Sequence, residues 1–477
     1  MLLGFFLVLF IYPKFLSPEE IGLVRAVIDI AALFSPYILL GVPNTYVRFF
    51  PFYAEDKAKL SAFRFYSVLI PVLSTGLFLI LYQLCEQLLI RTFEAQSALL
   101  VEYLDIIPIL IFLMGANRML RAYYRSDLNI VTPNFYESII LRIFFAGSVL
   151  FYYYGDLSVS WLVYLFIIAN GVIFFFMLKD FVFRKDFKLR FNKSLSQSDV
   201  SQIMVFGVFV VGNTLTGEMI LRVDTWMLSS LSGLAATGIY SVGMQMGTVI
   251  DLPKRSFSQI TTPVISKAYK EGDWKQIKDL YHKTSLNQLL LGGFIFILMW
   301  TNAYDLFALI PNGDKFVAGI WVLLFIGLAK LFSIATGCTM EILQVSKYYR
   351  HTLWISMSLV VSAILLNLWL IPEYGITGAA IASALAQFLN NFILLLFVRW
   401  KLKIQPYKWE NLFALLFLLA VLGGISFLEL DWLPIVNVVL RSALVVAVFY
   451  AGIMFLPLSS DLRDMVKLLE KRVGLRR

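Results

Sequence analysis

VFGVFVVGNTLTGEMILRVDTWMLSSLSGLAATGIYSVGMQMGTVIDLPKRSFSQITTPVISKAY, residues Val205–Tyr269, is the stretch whose reading decides the fold. Two apolar runs, Val205–Leu231 and Gly238–Thr261, flank a short turn of Gly, Ala and Ser, and each is long enough to cross a bilayer. Glu218, Arg222 and Asp224 interrupt the first run, Asp251 and Arg255 the second. An ionised side chain near a bilayer centre costs on the order of 3 kcal/mol on insertion scales, so charges placed there face a cavity or a partner. The hairpin therefore reads as one wall of a polar path through a membrane protein.

The rest of the chain agrees with this reading. Its 477 residues are 60% hydrophobic and 15% charged, with mean hydropathy +0.79. A soluble domain is about half apolar and a quarter charged, so the chain is an all-α integral membrane protein. The net charge of +9 does not indicate nucleic acid, because basic residues beside membrane spans set orientation. Cys85 and Cys338 have no metal or redox spacing. His282 and His351 fall in loops, so neither a metal site nor a catalytic group is expected.

Counting about 20 apolar residues per crossing gives fourteen spans: 1–12, 21–42, 61–83, 101–120, 136–154, 161–178, 205–231, 238–261, 284–303, 317–343, 352–370, 377–398, 411–428 and 434–456. The first is only a half-span, which leads us to expect about ten further residues upstream of Met1. With the N-terminus inside, 32 of the 40 Lys and Arg residues fall in cytoplasmic loops and 3 in outer ones. Such a bias places both termini in the cytoplasm. Arg118, Arg121 and Arg125 count among the loop residues, and Arg25, Arg142, Arg222, Lys330 and Arg441 lie inside spans.

A basic linker, 179–204, divides a first lobe (1–178) from a second (205–400), followed by an extra helix pair and basic tail (401–477). FLSPEEIGLVRAV from Phe15 and SLSGLAATGIYSV from Ser230 match weakly, setting Gly22 against Gly238. Internal repeats of this kind occur in transporters, with the substrate path at their interface. Asp273–Lys283 and the tail from Asp461 read as interfacial helices.

Arg25/Asp29, Glu218/Arg222 and Asp251/Arg255 each have i,i+4 spacing, which puts both charges on one helix face. Such pairs either staple helices together or line the path. Arg25 and Arg222 fall towards the outer half, and Arg48, Lys254 and Arg255 near the cytoplasmic ends. An anion would then meet contacts along the whole crossing, and the forked guanidinium suits phosphate. Asp29, Glu218, Asp224, Asp251 and Glu341 nearly cancel this charge, and the first four are candidate coupling carboxylates. Asp224 leads them because it has no arginine at i±4. No cofactor is expected. Coupling to a proton gradient, a sodium gradient or the membrane potential is left open.

IYPKFLSPEEIGLVR (Ile11–Arg25), GVPNTYVRFFP (Gly41–Pro51), RVDTWML (Arg222–Leu228), GIYSVG (Gly238–Gly243), DLPKRSFSQITTPVIS (Asp251–Ser266) and PEYGITGAAIA (Pro372–Ala382) resemble the Wzx-type polysaccharide flippases. These belong to the superfamily of MATE exporters and the lipid II flippase. The resemblance covers essentially the whole chain. It implies fourteen helices as two six-helix lobes around a central cavity, plus a C-terminal pair. It also implies movement of an undecaprenyl-pyrophosphate-linked oligosaccharide from the inner to the outer leaflet of a bacterial inner membrane. Arg25, Arg48, Arg222 and Arg255, with Lys254, are then the expected pyrophosphate contacts. The lipid-linked oligosaccharide and membrane lipid are the expected partners, alongside a polysaccharide polymerase and chain-length machinery, and nucleic acid is not. The alternatives are a MATE-like exporter of small organic molecules and, from another class, a membrane enzyme of polysaccharide polymerisation or ligation.

Overall fold

A computed structural model of the chain describes residues 2–155, 157–183, 194–428 and 431–473. Positions 184–193 of the basic linker, and the end of the tail beyond 473, lie outside them. Every regular element among the described residues is helical. The chain forms two compact units, Met1–Gly238 and Ile239–Arg477.

In the first unit, caps and prolines set the helix boundaries. Helix α1, Pro18–Leu39, opens with a capping box: the Ser17 N–H donates to Glu20 Oε2 at 2.7 Å and the Glu20 N–H to Ser17 Oγ at 3.3 Å. That reciprocal pair satisfies two helix-end donors. Leu40 (φ 44°) and Gly41 (φ 71°) are both left-handed, so the chain bends there before α2, Val42–Tyr53. The glycine takes this conformation without the steric cost a Cβ would add. Then follow α3 (Lys57–Phe93), α4 (Ile107–Ser126), α5 (Leu141–Tyr154), α6 (Ser160–Val182) and α7 (Gln197–Leu231). The α7 start is fixed by a second capping box, Ser196 with Asp199.

Helix α1 is the centre of this unit, packed against α4 and α7. Lipid is as apolar as a leucine side chain, so burial drives helix association weakly in a membrane and close van der Waals packing drives it instead. The α1 contact with the following helix, α8 (Leu234–Gly247), illustrates this. A Cβ on Gly22 would lie 1.8 Å from the Leu234 carbonyl oxygen, and one on Gly238 1.9 Å from that of Pro18. The two glycines matched in the sequence repeat thus face each other.

The second unit contains α9 (Leu252–Glu271), α10 (Trp274–Thr301), α11 (Gly319–Ala335), α12 (Thr339–Val345), α13 (His351–Leu402), α14 (Trp409–Ser426), α15 (Pro434–Phe455) and α16 (Ser460–Val473). Helix α13 is continuous except at Gly375, whose φ of 54° and ψ of −125° are non-helical. Two expected spans therefore share one 52-residue element.

Each of the fourteen expected spans overlaps a helix among the described residues, although 102–106, 317–318 and 336–338 are turns. Among the described residues, eight helices are long and apolar enough to cross a membrane, or nine if the bent pair α11–α12 counts as one. The others are divided or shortened: two crossings share α13, a 3-10 turn at Thr248–Asp251 separates α8 from α9, and Gly4–Phe15 and Leu141–Tyr154 are short. Three further readings change. Arg118, Arg121 and Arg125 lie on α4 rather than in a loop, because the helix outruns its apolar stretch. Asp273–Lys283 is no separate interfacial helix: from Trp274 it is the first part of α10, with Ile277 and Tyr281 buried. Helix α7, assigned to the second lobe by the linker, packs within the first unit on α1.

Candidate functional site

Three helices of the first unit bring their charges together. On α1, Arg25 Nε donates to Asp29 Oδ2 at 2.6 Å. Asp29, only 1% exposed, also pairs through Oδ1 with Arg222 of α7. Arg222 Nε donates to Glu218 Oε2 at 2.9 Å, and Glu218 Oε1 meets Arg118 Nη2 of α4 at 2.8 Å. The result is one ionic chain, Arg25–Asp29–Arg222–Glu218–Arg118, with three cations and two anions.

The alternation explains how these charges tolerate their surroundings. Two of the pairs come from i,i+4 spacing on one helix, and the other two staple α1 to α7 and α7 to α4. Charges away from water are costly unless paired and hydrogen-bonded. Each carboxylate here has two arginine partners, so losing Arg222 would still leave Asp29 with Arg25 and Glu218 with Arg118. That differs from the isolated Glu218/Arg222 pair expected from spacing alone. The three arginines and two carboxylates leave this ionic chain with one positive charge in excess.

The other expected site residues are placed differently. Arg48 is exposed on α2, its guanidinium carbon 4.1 Å from the centre of the Phe206 ring, a cation–π contact. Asp224 lies half-buried on α7, two residues past Arg222. Lys254, Arg255 and Asp251 belong to the second unit: Lys254 Nζ donates to Ser333 Oγ at 2.8 Å, and Arg255 Nε to Asp251 Oδ2 at 3.4 Å. Also there, Lys330 donates to Gln387 Oε1 at 3.1 Å and the Ser258 hydroxyl to the buried Glu341. Asn213 donates to the Phe209 carbonyl one turn back, a structural bond.

Arg118 is the member of the ionic chain that sequence reasoning did not single out. Its signal was present in RMLRAYYR, Arg118–Arg125, where arginines recur at i, i+3 and i+7. The intervening Met119, Leu120, Ala122, Tyr123 and Tyr124 are buried, which is the pattern of a helix with one charged face.

Comparison with known proteins agrees with this architecture. A MatE family model matches residues 214–369. "Capsular polysaccharide biosynthesis protein CapF" of Staphylococcus aureus is 22% identical over 229 residues, 47% of this chain and 56% of that protein. The chain therefore spans about half the length of that curated relative. Among solved structures, "Lipid II flippase MurJ, inward closed conformation" aligns over 98% of this chain and 97% of its own, with TM-score 0.71 and 16% identity. An inward-facing multidrug resistance MATE family transporter of the MOP superfamily aligns over 84% of this chain and 94% of its own, with TM-score 0.63 and 16% identity. At such identities the likeness shows the fold. The chain is thus a multi-pass membrane protein that shares the fold of these two structures. The Polysacc_synt family model, described as polysaccharide biosynthesis protein, matches residues 1–269, more than half of the 477, and the chain belongs to that family.

Proposed function

We propose that this protein is a flippase for an oligosaccharide linked to a polyprenyl diphosphate, moving it from the inner to the outer leaflet for surface polysaccharide assembly. The observation that carries the reading is the ionic chain of the first unit, with three arginines held by two carboxylates. A diphosphate must shed water to cross, and arginine forks replace that hydration with paired charge-assisted hydrogen bonds. As phosphate oxygens arrive, they take over arginines from Asp29 and Glu218. This exchange keeps every charge paired at each stage and so avoids the cost of an uncompensated ion.

In this account Arg25, Arg118 and Arg222 hold the diphosphate, and Arg48, Lys254 and Arg255 attract it from the cytoplasmic side. The prenyl tail stays in lipid while the lobes alternate in access. The protein sits in a bacterial inner membrane with both termini cytoplasmic, and a polymerase receives the glycan. Asp29, Glu218, Asp224 and Asp251 are the candidate ion-coupling groups, and no covalent chemistry is assigned. The MatE match supports a second reading, export of small organic cations. Proteoliposomes distinguish the two: the account expects protein-dependent movement of a polyprenyl-diphosphate glycan between leaflets and no gradient-driven uptake of organic cations. The opposite pair of results overturns it.

A further inference from the structure

Beside the partly buried ionic chain, the first unit has a cavity of about 280 Å³ that none of the expected site residues except Glu218 lines. Its wall carries Arg118, Arg121 and Arg125 from α4, Glu218 and Thr214 from α7, and Asn44 from the first turn of α2. The size is at the lower end of small-ligand sites, which start at about 300 Å³, so a compact polar group fits it better than a sugar chain.

The charges in this wall are incompletely matched. Arg118 has Glu218 at 2.8 Å, and Arg121 has Glu137. Arg125 is exposed and makes no ion pair among the described residues. The Nε–H of Arg121 is buried and has no hydrogen-bond acceptor. Three like charges at i, i+3 and i+7 on one helix face repel one another unless an anion lies between them. The cavity is also lined by Pro36 and Leu39 of the last turn of α1 and by Gly41, Pro43 and Asn44 at the N-terminal end of the 12-residue α2. The first backbone N–H groups of a helix have no intrahelical acceptor and carry a partial positive charge. The arginines of α4 and the first turn of α2, in which Pro43 has no N–H, therefore line one small space.

We propose that the Arg118–Arg121–Arg125 face of α4 and the first turn of α2 form a diphosphate-binding subsite that passes its ligand along the ionic chain through Glu218. The assignment deepens the flippase reading and rests on it. Glu218 is the physical link, since one of its oxygens holds Arg118 at the cavity and the other holds Arg222 in the ionic chain. A diphosphate seated on Arg121 and Arg125 approaches Arg118 and displaces Glu218 from it. Glu218 then keeps its contact with Arg222 until the phosphate advances.

The test is a binding titration on the full chain in nanodiscs of zwitterionic lipid. Undecaprenyl diphosphate is the ligand, inorganic pyrophosphate the competitor and phosphatidylglycerol the monophosphate control. Arg125→Gln removes a side chain with no ion pair to lose, and Arg121→Gln with Glu137→Gln removes both members of the other pair. Each variant is expected to weaken undecaprenyl diphosphate about tenfold, the loss of one charged hydrogen-bond contact. Competition by inorganic pyrophosphate should weaken in parallel, with phosphatidylglycerol unaffected. Wild-type binding that survives in both variants overturns the subsite and leaves the flippase reading standing. No binding of the diphosphate lipid by the wild type removes both. Failure of pyrophosphate to compete, or equal loss of phosphatidylglycerol, means that the face contacts lipid generally and overturns the assignment.

Discussion

Asp29 on α1 and Arg222 on α7 form an ion pair across 193 residues of sequence. Asp29 is also bound by Arg25 at 2.6 Å, so one carboxylate that is 1% exposed bridges two arginines from two helices. Removing it takes away the carboxylate that pairs with Arg25, while Arg222 keeps Glu218. We expect Asp29→Asn, which keeps the shape, to destabilise the protein by about 1–3 kcal/mol, the cost of removing a charged hydrogen-bond partner from a partly exposed arginine. Thermal unfolding in detergent measures this, and a second change, Arg25→Gln, should recover part of the loss. An unchanged melting temperature for Asp29→Asn would mean that the aspartate does not hold the helices.

Backbone proximity at Gly22 and Gly238 leaves no space for a methyl group. Gly238→Ala must push α8 away from α1, at a cost of about 1–3 kcal/mol or more for forced overpacking. A cysteine pair across this contact should cross-link in the parent and lose efficiency in the variant. Gly76→Ala is the control, since a Cβ there meets nothing within 4 Å. It should be neutral, or stabilising by up to about 1 kcal/mol from helix propensity.

The break in α13 rests on a backbone conformation that only glycine adopts readily, with φ 54° and ψ −125° at Gly375. Gly375→Ala should cost about 1–3 kcal/mol even though the space around it is open. Accumulation of folded protein, followed by size-exclusion chromatography, reports the effect. A variant as stable as the parent would show that the break tolerates an L side chain.

Orientation follows from the distribution of basic residues. With Cys85 and Cys338 replaced, a cysteine at position 192, outside the described residues, should react with a membrane-impermeant reagent only from the cytoplasmic side. One at Asp431 should react only from outside. Opposite labelling at either position reverses the topology.

Much of the architecture was readable because composition and hydropathy are dense signals in a membrane protein. The Gly22/Gly238 match was readable for a different reason: a close helix contact demands a residue without a side chain on both partners. The i,i+4 pairs Arg25/Asp29 and Glu218/Arg222 were visible because helical spacing alone juxtaposes them. Nothing local in sequence joins Asp29 to Arg222, or Glu218 to Arg118. Those contacts depend on how α1, α4 and α7 pack, which leaves no periodic trace. The α4 arginines were misplaced because a hydropathy boundary is not a helix boundary: the apolar stretch ends while hydrogen bonding continues to Ser126. The sharing of α13 by two expected spans was hidden for the same reason, since Gly375 bends the helix without ending it.

The central claim is that the ionic chain binds the travelling diphosphate, and Arg222 tests it most directly. Its loss leaves Asp29 with Arg25 and Glu218 with Arg118, so Arg222→Ala should reach the membrane at near-normal level. The measurement is the rate at which a polyprenyl-diphosphate-linked glycan crosses proteoliposome bilayers. We expect Arg222→Ala to abolish crossing and Arg222→Lys to retain part of it, because lysine keeps the charge and loses the fork. The double change Arg222→Ala, Glu218→Gln should stay inactive. Wild-type crossing by Arg222→Ala, or crossing restored in the double variant, would contradict the account and leave the ionic chain a helix staple.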